Sequence, residues 1–214
     1  MKIPSDWSFD TAEVAENFDI HVREQLPFYD LVSGAVAHIA RHYLPENGLL
    51  YDIGASTGNL TNILGKTIRA RNITAVSVES SVEMSYKFAG VGQLFVCDCL
   101  DVKYEKFDVA VLFLVLMFIP VSERFGFMEK LIEQKKEGGA IIVVDKINQT
   151  AGYLGTIMRR LTLAGKVANG ASHEDIINKE LSLEGIQRPI DDEEFSSLGT
   201  KFFQFGEFAG WVIE

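Results

Sequence analysis

The sequence of 214 residues lacks several features that would place it in a specialised class of protein. Its two cysteines, Cys97 and Cys99, have no histidine or second cysteine pair beside them. Two thiolates alone make a poor zinc site, so we expect reduced thiols and no metal. The longest apolar run, residues 109–121, is shorter than the ~20 residues of a membrane-spanning helix. Residues 1–6 lack the apolar core of a signal peptide, so we expect a cytoplasmic protein with no membrane partner.

Positive charge is also scarce in this chain. It has 20 basic and 30 acidic residues, which give a formal net charge of −10. Nonspecific binding to nucleic acids depends on Lys and Arg side chains that neutralise phosphates, so we do not expect strong binding of this kind. We interpret the tight basic pairs, Arg69 with Arg71 and Arg159 with Arg160, as solvated faces.

The pattern of apolar residues predicts one α/β domain over residues 1–214. Residues 1–47 form a helical lead-in, in which a helix begins at Pro27 and ends near Tyr43. Residues 146–199 form a helical cap. The expected helices of the remainder cover residues 58–70, 81–90 and 122–136, and the expected strands cover residues 49–54, 73–79, 93–97, 107–114, 140–145, 201–205 and 208–213. This order predicts a Rossmann-like doubly wound sheet of about seven strands with a C-terminal antiparallel hairpin.

The most informative segment is residues 49–60, where a short apolar strand runs into the turn Gly54-Ala55-Ser56-Thr57-Gly58 and a helix begins. Asp52 lies within this strand, and Glu79 closes the next apolar strand. In doubly wound sheets, a glycine-rich turn followed by an acid at the next strand end binds an adenosine. A third acid, Asp98, follows the third strand. Acids at three successive strand ends therefore predict a nucleotide-sized binding edge.

The same turn also fits the elbow of a serine hydrolase, with Ser56 as the nucleophile and His173 as the base. An elbow of that kind follows a late strand of the sheet, whereas this turn follows the first strand. A hydrolase also has no need for Glu79 at the next strand end. We therefore favour the nucleotide site and keep the hydrolase as the rival interpretation.

Several stretches of the chain carry a family resemblance, and together they cover roughly residues 9–213. They are Phe9-Asp10, Val14-Ala15 and Phe18, and residues 26–29, 51–58, 111–113, 120–124 and 138–140. These stretches resemble the carboxy-S-adenosylmethionine synthase group of the class I methyltransferases, which use S-adenosylmethionine (SAM). The resemblance implies SAM as cofactor, a homodimer and, for the synthase group, a part in tRNA wobble uridine modification. It also implies a SAM pocket lined by Tyr29, Gly54, Ala55, Ser56, Glu79, Ser80, Asp98 and Cys99.

The chemical groups of SAM suit the acids at the strand ends. We expect Glu79 to accept hydrogen bonds from the ribose hydroxyls and Asp98 to meet the adenine amino group. Asp52 can orient the turn or bind the methionine ammonium. Gly54 and Gly58 would let the backbone approach the ligand without a Cβ in the way. All five residues are therefore predicted to bind the cofactor.

Two residues depart from the resemblance. Phe113 stands where the group has an asparagine on the fourth strand, and we predict that Phe113 lines the cofactor site. Glu180 stands in place of an arginine that binds the added carboxylate, and a glutamate there repels a carboxylate. Unless Lys179 or Arg188 replaces that arginine, a carboxylated SAM is not favoured. We therefore predict a SAM-dependent methyltransferase with an unidentified acceptor. The alternatives are a carboxy-S-adenosylmethionine synthase-like enzyme and a non-catalytic SAM-binding protein that acts through a partner.

The sequence assigns no catalytic residue, because methyl transfer can gain much of its rate from positioning and from exclusion of water. An Asn-Pro-Pro-Tyr motif after the fourth strand and a Pro-Cys pair are both missing, which argues against methylation of DNA bases. We expect a small-molecule or macromolecular acceptor to meet the cap, where the candidates are Tyr153, Arg159, Arg160 and His173. The apolar residues 153–167 could serve a homodimer contact or pack in the core.

Overall fold

A computed structural model of the chain describes residues 8–148 and 152–214. Small parts of the predicted lead-in and of the predicted cap, residues 1–7 and 149–151, lie outside these described residues. The description of the fold that follows therefore concerns the two described ranges.

Seven strands of the described residues form a single sheet in the order β3-β2-β1-β4-β5-β7-β6. The first five strands run parallel, and β7 pairs antiparallel with both β5 and β6. The predicted Rossmann-like sheet with a C-terminal antiparallel hairpin is confirmed. The strands are β1 (Leu49–Ile53), β2 (Thr74–Glu79), β3 (Gln93–Val96), β4 (Phe107–Phe113), β5 (Lys135–Lys146), β6 (Thr200–Phe205) and β7 (Phe208–Ile213).

The helices lie before, between and after the strands. They are α1 (Ala12–Gln25), α2 (Tyr29–Tyr43), α3 (Asn59–Ile63), α4 (Gly65–Ala70), α5 (Val82–Ser85), α6 (Val121–Gln134), α7 (Tyr153–Ala168), α8 (His173–Ser182) and α9 (Asp192–Leu198). A 3-10 turn, Leu116–Phe118, follows β4. The helix predicted over residues 58–70 is divided at Leu64 into α3 and α4, and β5 begins before the predicted residue 140.

The helix predicted over residues 81–90 is a single turn, α5, because the chain after it is held by the turn that follows β1. The Ala89 N–H donates to the Thr57 carbonyl at 2.9 Å. A Cβ on Gly58 would lie 2.5 Å from the Gly90 nitrogen, so these two glycines pack backbone against backbone. This long-range contact overrides the local preference for a longer helix.

One face of the sheet packs on α2. Val32, Val36 and Ala40 of α2 belong to the same buried cluster as Val109 and Val111 of β4. The spacing of the three α2 residues is that of a helix that presents one apolar stripe to a sheet. This packing explains why the lead-in folds against the sheet and reaches the binding edge.

The opposite face of the sheet packs on α6. Ala110 and Leu112 of β4 share a buried cluster with Phe127 and Leu131 of α6 and with the fully buried Trp211 of β7. Because β4 is covered on both faces, its apolar residues run on without alternation. The carboxyl end of β4 is thus fixed in the middle of the sheet, beside the end of β1.

The loop after β4 is fixed by two buried charged side chains. Arg124 of α6 donates to the Ile119 carbonyl at 3.0 Å and to the Arg188 carbonyl at 2.6 Å. Asp145, near the end of β5, accepts a hydrogen bond from the Met117 N–H at 3.3 Å. These bonds join the loop to β5 and to the segment after α8, so one wall of the binding edge is built from distant parts of the chain.

Candidate functional site

The turn after β1 is strained and tightly packed. Gly54 and Gly58 have φ angles of 71° and 85°, and Ser56 has a φ of 52°, which is unfavourable for a residue with a Cβ. A Cβ on Gly54 would lie 2.5 Å from the side chain of Val115. Packing within the chain thus explains both glycines without a ligand. The sequence suggests a different reason, namely that glycine lets the backbone approach the ligand closely.

Glu79 holds this turn in place from the end of β2. Its Oε2 accepts a hydrogen bond from the Ser56 N–H at 2.8 Å, and its Oε1 accepts one from the Ser81 N–H at 2.9 Å. Burial raises the pKa of Glu79, and these backbone donors oppose the rise. Each carboxylate oxygen keeps a lone pair that can accept a further hydrogen bond from a ligand.

Asp52, in β1, is the buried carboxylate with the least support. Its Oδ2 is buried and accepts no hydrogen bond from any residue in the described ranges. Burial, followed by the nearby charge of Glu79, raises the pKa of Asp52 to about 7. A buried carboxylate without donors costs free energy. A cationic hydrogen-bond donor brought by a ligand would remove that cost.

A cavity of about 230 Å³ opens at the ends of β1, β2 and β4. It brings together most of the residues that the sequence proposes for cofactor binding. Those that line it are Tyr29, Asp52, Gly54, Ala55, Ser56, Glu79, Ser80 and Phe113.

Three other predicted residues, Gly58, Asp98 and Cys99, are not among the residues that line the cavity. Asp98 is exposed, and its Oδ1 accepts a hydrogen bond from the Leu100 N–H at 2.9 Å. Burial raises the pKa of Cys99 to about 12, so its thiol stays protonated. The contact of Asp98 with a bound adenine, and the part of Gly58 and Cys99 in the cofactor site, stay predictions.

Two aromatic rings form an apolar wall of the cavity. Tyr29, at the start of α2, meets Phe113 edge to face, with ring centroids 5.5 Å apart. Burial raises the pKa of Tyr29 to about 12, so its phenol is neutral. These rings line the same cavity as the carboxylates of Asp52 and Glu79.

Helix α1 covers the turn. Thr57 Oγ1 donates to Asp19 Oδ1 at 2.9 Å, and Ser81 Oγ donates to the Phe9 carbonyl at 2.7 Å. These bonds attach α1 and the residues before it to the ends of β1 and β2. The lead-in is therefore part of the site.

Sequence reasoning missed most of the residues that α1, β5 and the cap contribute to the cavity, which are Phe18, His21, Val22 and Gln25 of α1, Lys146 of β5 and Lys166 of α7. Lys179 and Glu180, which the sequence analysis considers beside a carboxylate, also line the cavity. On α1, the polar side chains of His21 and Gln25 fall within an apolar helical stripe. This spacing was the only pattern in the sequence that could have indicated their place in the cavity. Such a stripe is ordinarily explained by core packing.

Glu180 lies among three lysines that also line the cavity. Lys166 Nζ is 3.1 Å from Glu180 Oε1, and Lys146 Nζ is 3.8 Å from Glu180 Oε2. Burial would raise the pKa of Glu180, but Lys146 and Lys166 outweigh it and the pKa is lowered. The cap side of the cavity therefore carries the two cations Lys146 and Lys166 against the one carboxylate of Glu180. These cations offset the repulsion of a carboxylate that is expected from Glu180 considered alone.

The cap residues proposed for the acceptor do not line this cavity. Tyr153, Arg159, Arg160 and His173 are all exposed. The arrangement also gives no support to a serine hydrolase, because Ser56 lines the cavity and His173 does not. Among the described residues, Ser56 Oγ is buried without a hydrogen-bond partner.

Residues 8–148 and 152–214 contain no group of three or more His, Cys, Asp and Glu side chains that could hold a metal ion. No helix described there is long and apolar enough to cross a bilayer.

The chain is similar in sequence to curated proteins named carboxy-S-adenosyl-L-methionine synthase. It is 28% identical to the protein from Staphylococcus epidermidis over 192 residues, which are 87% of this chain and 84% of that protein. It is 26% identical to the protein from Shewanella oneidensis over 226 residues, covering 97% of this chain and 92% of the relative. No family model matches the chain.

Solved structures share its fold at low identity. The complex of DhpI with S-adenosylhomocysteine (SAH) gives a TM-score of 0.58 at 13% identity, over 97% of this chain and 94% of that chain. The plantazolicin methyltransferase BamL, solved with a triazolic desmethylPZN analog and SAH, gives 0.60 at 14% identity, over 90% and 71%. The chain has the class I methyltransferase fold. Its strand order is β3-β2-β1-β4-β5-β7-β6, and β7 runs antiparallel to its neighbours.

Replacing Asp52 by Asn should stabilise the ligand-free methyltransferase fold. The folded-state pKa of Asp52, about 7, lies above its ordinary value of 3.8, so ionisation costs stability at every pH above about 4 and costs most above 7. At pH 8 we expect a gain of about 1–2 kcal/mol in the free energy of unfolding, or roughly 2–8 °C in Tm. The gain should shrink as the pH falls from 7 towards 4, which thermal melts at several pH values measure.

Asp101→Asn is the matched control, because Asp101 is exposed. It should leave the melting temperature unchanged across the same pH range. An Asp52→Asn protein that is less stable than the wild type at pH 8 would show that Asp52 is satisfied in the absence of ligand.

Proposed function

We propose that the chain is a SAM-dependent methyltransferase whose acceptor is not yet identified. The observation that carries this proposal is the pair of carboxylates at adjacent strand ends. Asp52 Oδ2 is buried without a donor from the described residues, and Glu79 is fixed by two backbone N–H groups. Together they would be satisfied by a ligand with one cationic hydrogen-bond donor and further hydrogen-bond donors beside it.

SAM fits these requirements. Its methionine ammonium would donate a hydrogen bond to Asp52, and its two ribose hydroxyls would donate to the lone pairs left on Glu79. When bound, SAM supplies an electrophilic methyl group on a sulfonium. The chain's own part is to hold that ligand, to exclude water with Tyr29 and Phe113, and to place the acceptor from the cap side.

The comparisons support this proposal in two ways. The named relatives are synthases of a carboxylated S-adenosyl-L-methionine. Two methyltransferase-fold structures that match most of the chain were solved with SAH. In doubly wound folds, ligands bind where the strand order reverses, which is between β1 and β4 in this chain.

Glu79→Ala should weaken the binding of SAM by about 1–3 kcal/mol, the scale for losing hydrogen bonds to a charged group. Titration calorimetry measures the change directly. Glu79→Gln should recover part of the loss, because the amide oxygen still accepts one bond. Glu174→Ala, an exposed glutamate on α8, is the control and should bind as the wild type does. Unchanged binding by the Glu79 variants would remove this residue from the site.

A second candidate is a carboxy-S-adenosylmethionine synthase-like activity. The names of the relatives favour it, and so do Lys146, Lys166 and Lys179, whose charges exceed that of Glu180 in the cavity. Mass spectrometry of ligand released from the purified protein separates the two candidates. SAM or SAH alone favours methyl transfer, whereas a SAM that carries an extra carboxyl group favours the synthase.

We also propose a cytoplasmic homodimer that meets through α7 and α8. Tyr153 is 73% exposed and Leu154 is 58% exposed on α7, and Leu181 is 64% exposed on the neighbouring α8. Exposed apolar side chains gathered on adjacent helices are typical of an interface. A small molecule or a macromolecule that reaches the cap side of the cavity is the proposed partner for methyl transfer.

Leu154→Glu should weaken the dimer at least tenfold, or by about 1.4 kcal/mol, because it buries a charge in an apolar contact. Sedimentation analysis over a concentration series measures this. Lys66→Glu, on the exposed surface of α4, is the control and should leave the association unchanged. A wild-type chain that sediments as a monomer at all concentrations contradicts the proposal.

A further inference from the structure

Helix α1 contributes a buried amide to the cavity. Gln25, at the end of α1, is 5% exposed and lines the cavity. Its Oε1 is buried and accepts no hydrogen bond from the residues that the structure describes. SAM is already matched by Asp52 and Glu79, so the orphaned acceptor of Gln25 indicates a hydrogen-bond donor on a second ligand.

One helical turn before Gln25, His21 lies on the same face of α1 and contacts a lysine of the cap. Its Nε2 is in contact with Lys179 Nζ of α8, and both side chains line the cavity. Burial, followed by the charge of Lys179, lowers the pKa of His21 to about 3, so its imidazole is neutral. A neutral imidazole nitrogen can accept an N–H from Lys179 and hold the amine in one orientation.

Titratable groups from four elements act on Lys179. They are His21 from α1, Lys146 at the end of β5, Lys166 from α7 and Glu180 from α8 itself. Glu180 forms ion pairs with Lys146 and Lys166. Its negative charge therefore stabilises the protonated form of Lys179 less than it would without these two lysines. Burial, followed by the charge of Lys166, lowers the pKa of Lys179 to about 7. A large fraction of these amines is therefore neutral at physiological pH.

We propose that the methyl acceptor is a protic nucleophile, a hydroxyl or an amine, whose reacting heteroatom Lys179 deprotonates during transfer, while Gln25 accepts a hydrogen bond from a second N–H or O–H of the same molecule. This inference rests on the proposed function. The acceptor heteroatom forms a bond to the methyl carbon, and the bond from that carbon to sulfur breaks with its electron pair left on sulfur. The proton of the acceptor passes to the lone pair of Lys179 Nζ, and the ammonium returns it to water when the products leave.

In this arrangement Lys179 is the catalytic base and His21 is a positioning residue. The base has a pKa near the working pH, which is the condition under which proton transfer is most effective. The positive charges of Lys146 and Lys166 keep the amine neutral before transfer. The cluster therefore selects acceptors that must lose a proton and gives no help to nucleophiles that have none.

The first test is a pH titration of Lys179 by NMR in protein labelled with 15N-lysine and saturated with SAH. The Lys179 signal is assigned by its loss in Lys179→Met. We expect a midpoint near 7. A Lys179 midpoint close to the ordinary lysine value of about 10.4 would overturn the proposal.

The second test uses Lys179→Arg, whose guanidinium stays protonated and therefore cannot act as a base at neutral pH. The acceptors are phenol, catechol and propylamine as protic probes and pyridine as a probe with no proton to lose, and SAH release is measured. We expect Lys179→Arg to lower transfer to the protic probes about 100-fold or more and to bind SAM normally. His21→Phe should shift the pH profile of transfer.

An arginine variant that transfers methyl groups as fast as the wild type would overturn the proposal, and so would faster transfer to pyridine than to the protic probes. Gln25→Leu separates orientation from chemistry, because it should raise the KM of the acceptor and leave the affinity for SAM unchanged. Failure of the proposed function itself would be seen separately, as an absence of SAM and SAH binding in calorimetry with the wild-type protein.

Discussion

The structure depends on the placement of two carboxylates at the ends of adjacent parallel strands. Asp52 and Glu79 lie close enough that the charge of Glu79 raises the pKa of Asp52. Neither is neutralised by a described cation, and only Glu79 receives backbone donors from described residues. Such a pair is unfavourable until a ligand with positive charge and several donors occupies the cavity. The remainder of the fold can be understood as the frame that keeps this pair buried.

That frame draws on distant parts of the chain. Helix α1 is bonded to the turn through Asp19, and α2 supplies the ring of Tyr29 against Phe113. Arg124 and Asp145 fix the loop after β4 and connect it to the segment after α8. The turn that binds the cofactor edge together and the segment after α8 are therefore both held by hydrogen bonds to distant parts of the chain.

The sheet and its acids were predictable because their signals are local. Apolar runs, a turn with two glycines, and acids in the last two residues of β1 and β2 identify strand ends without knowledge of the tertiary structure. The short α5 was not predictable in this way. Its end is set by the contact of Gly90 with Gly58, which are far apart along the sequence. The strained φ of Ser56 likewise depends on its bond to Glu79.

The acceptor side was only partly predictable for a related reason. Glu180 considered alone repels an anion, yet Lys146 and Lys166 approach it from β5 and α7 and reverse the local charge. His21 and Gln25 lie in an apolar helical stripe, and such stripes ordinarily pack in a core. Only the fold brings them to the cavity, opposite Lys179. Side chains whose role comes from partners on other elements cannot be assigned from spacing alone.

A crystal structure of the chain grown with SAH tests the central claim most directly. The account predicts the ribose hydroxyls within hydrogen-bond distance of Glu79 and the ammonium group beside Asp52 Oδ2. It also predicts that the sulfur faces the side lined by Gln25 and Lys179. SAH bound at another place, or in this cavity with its ammonium turned away from Asp52, would contradict the account.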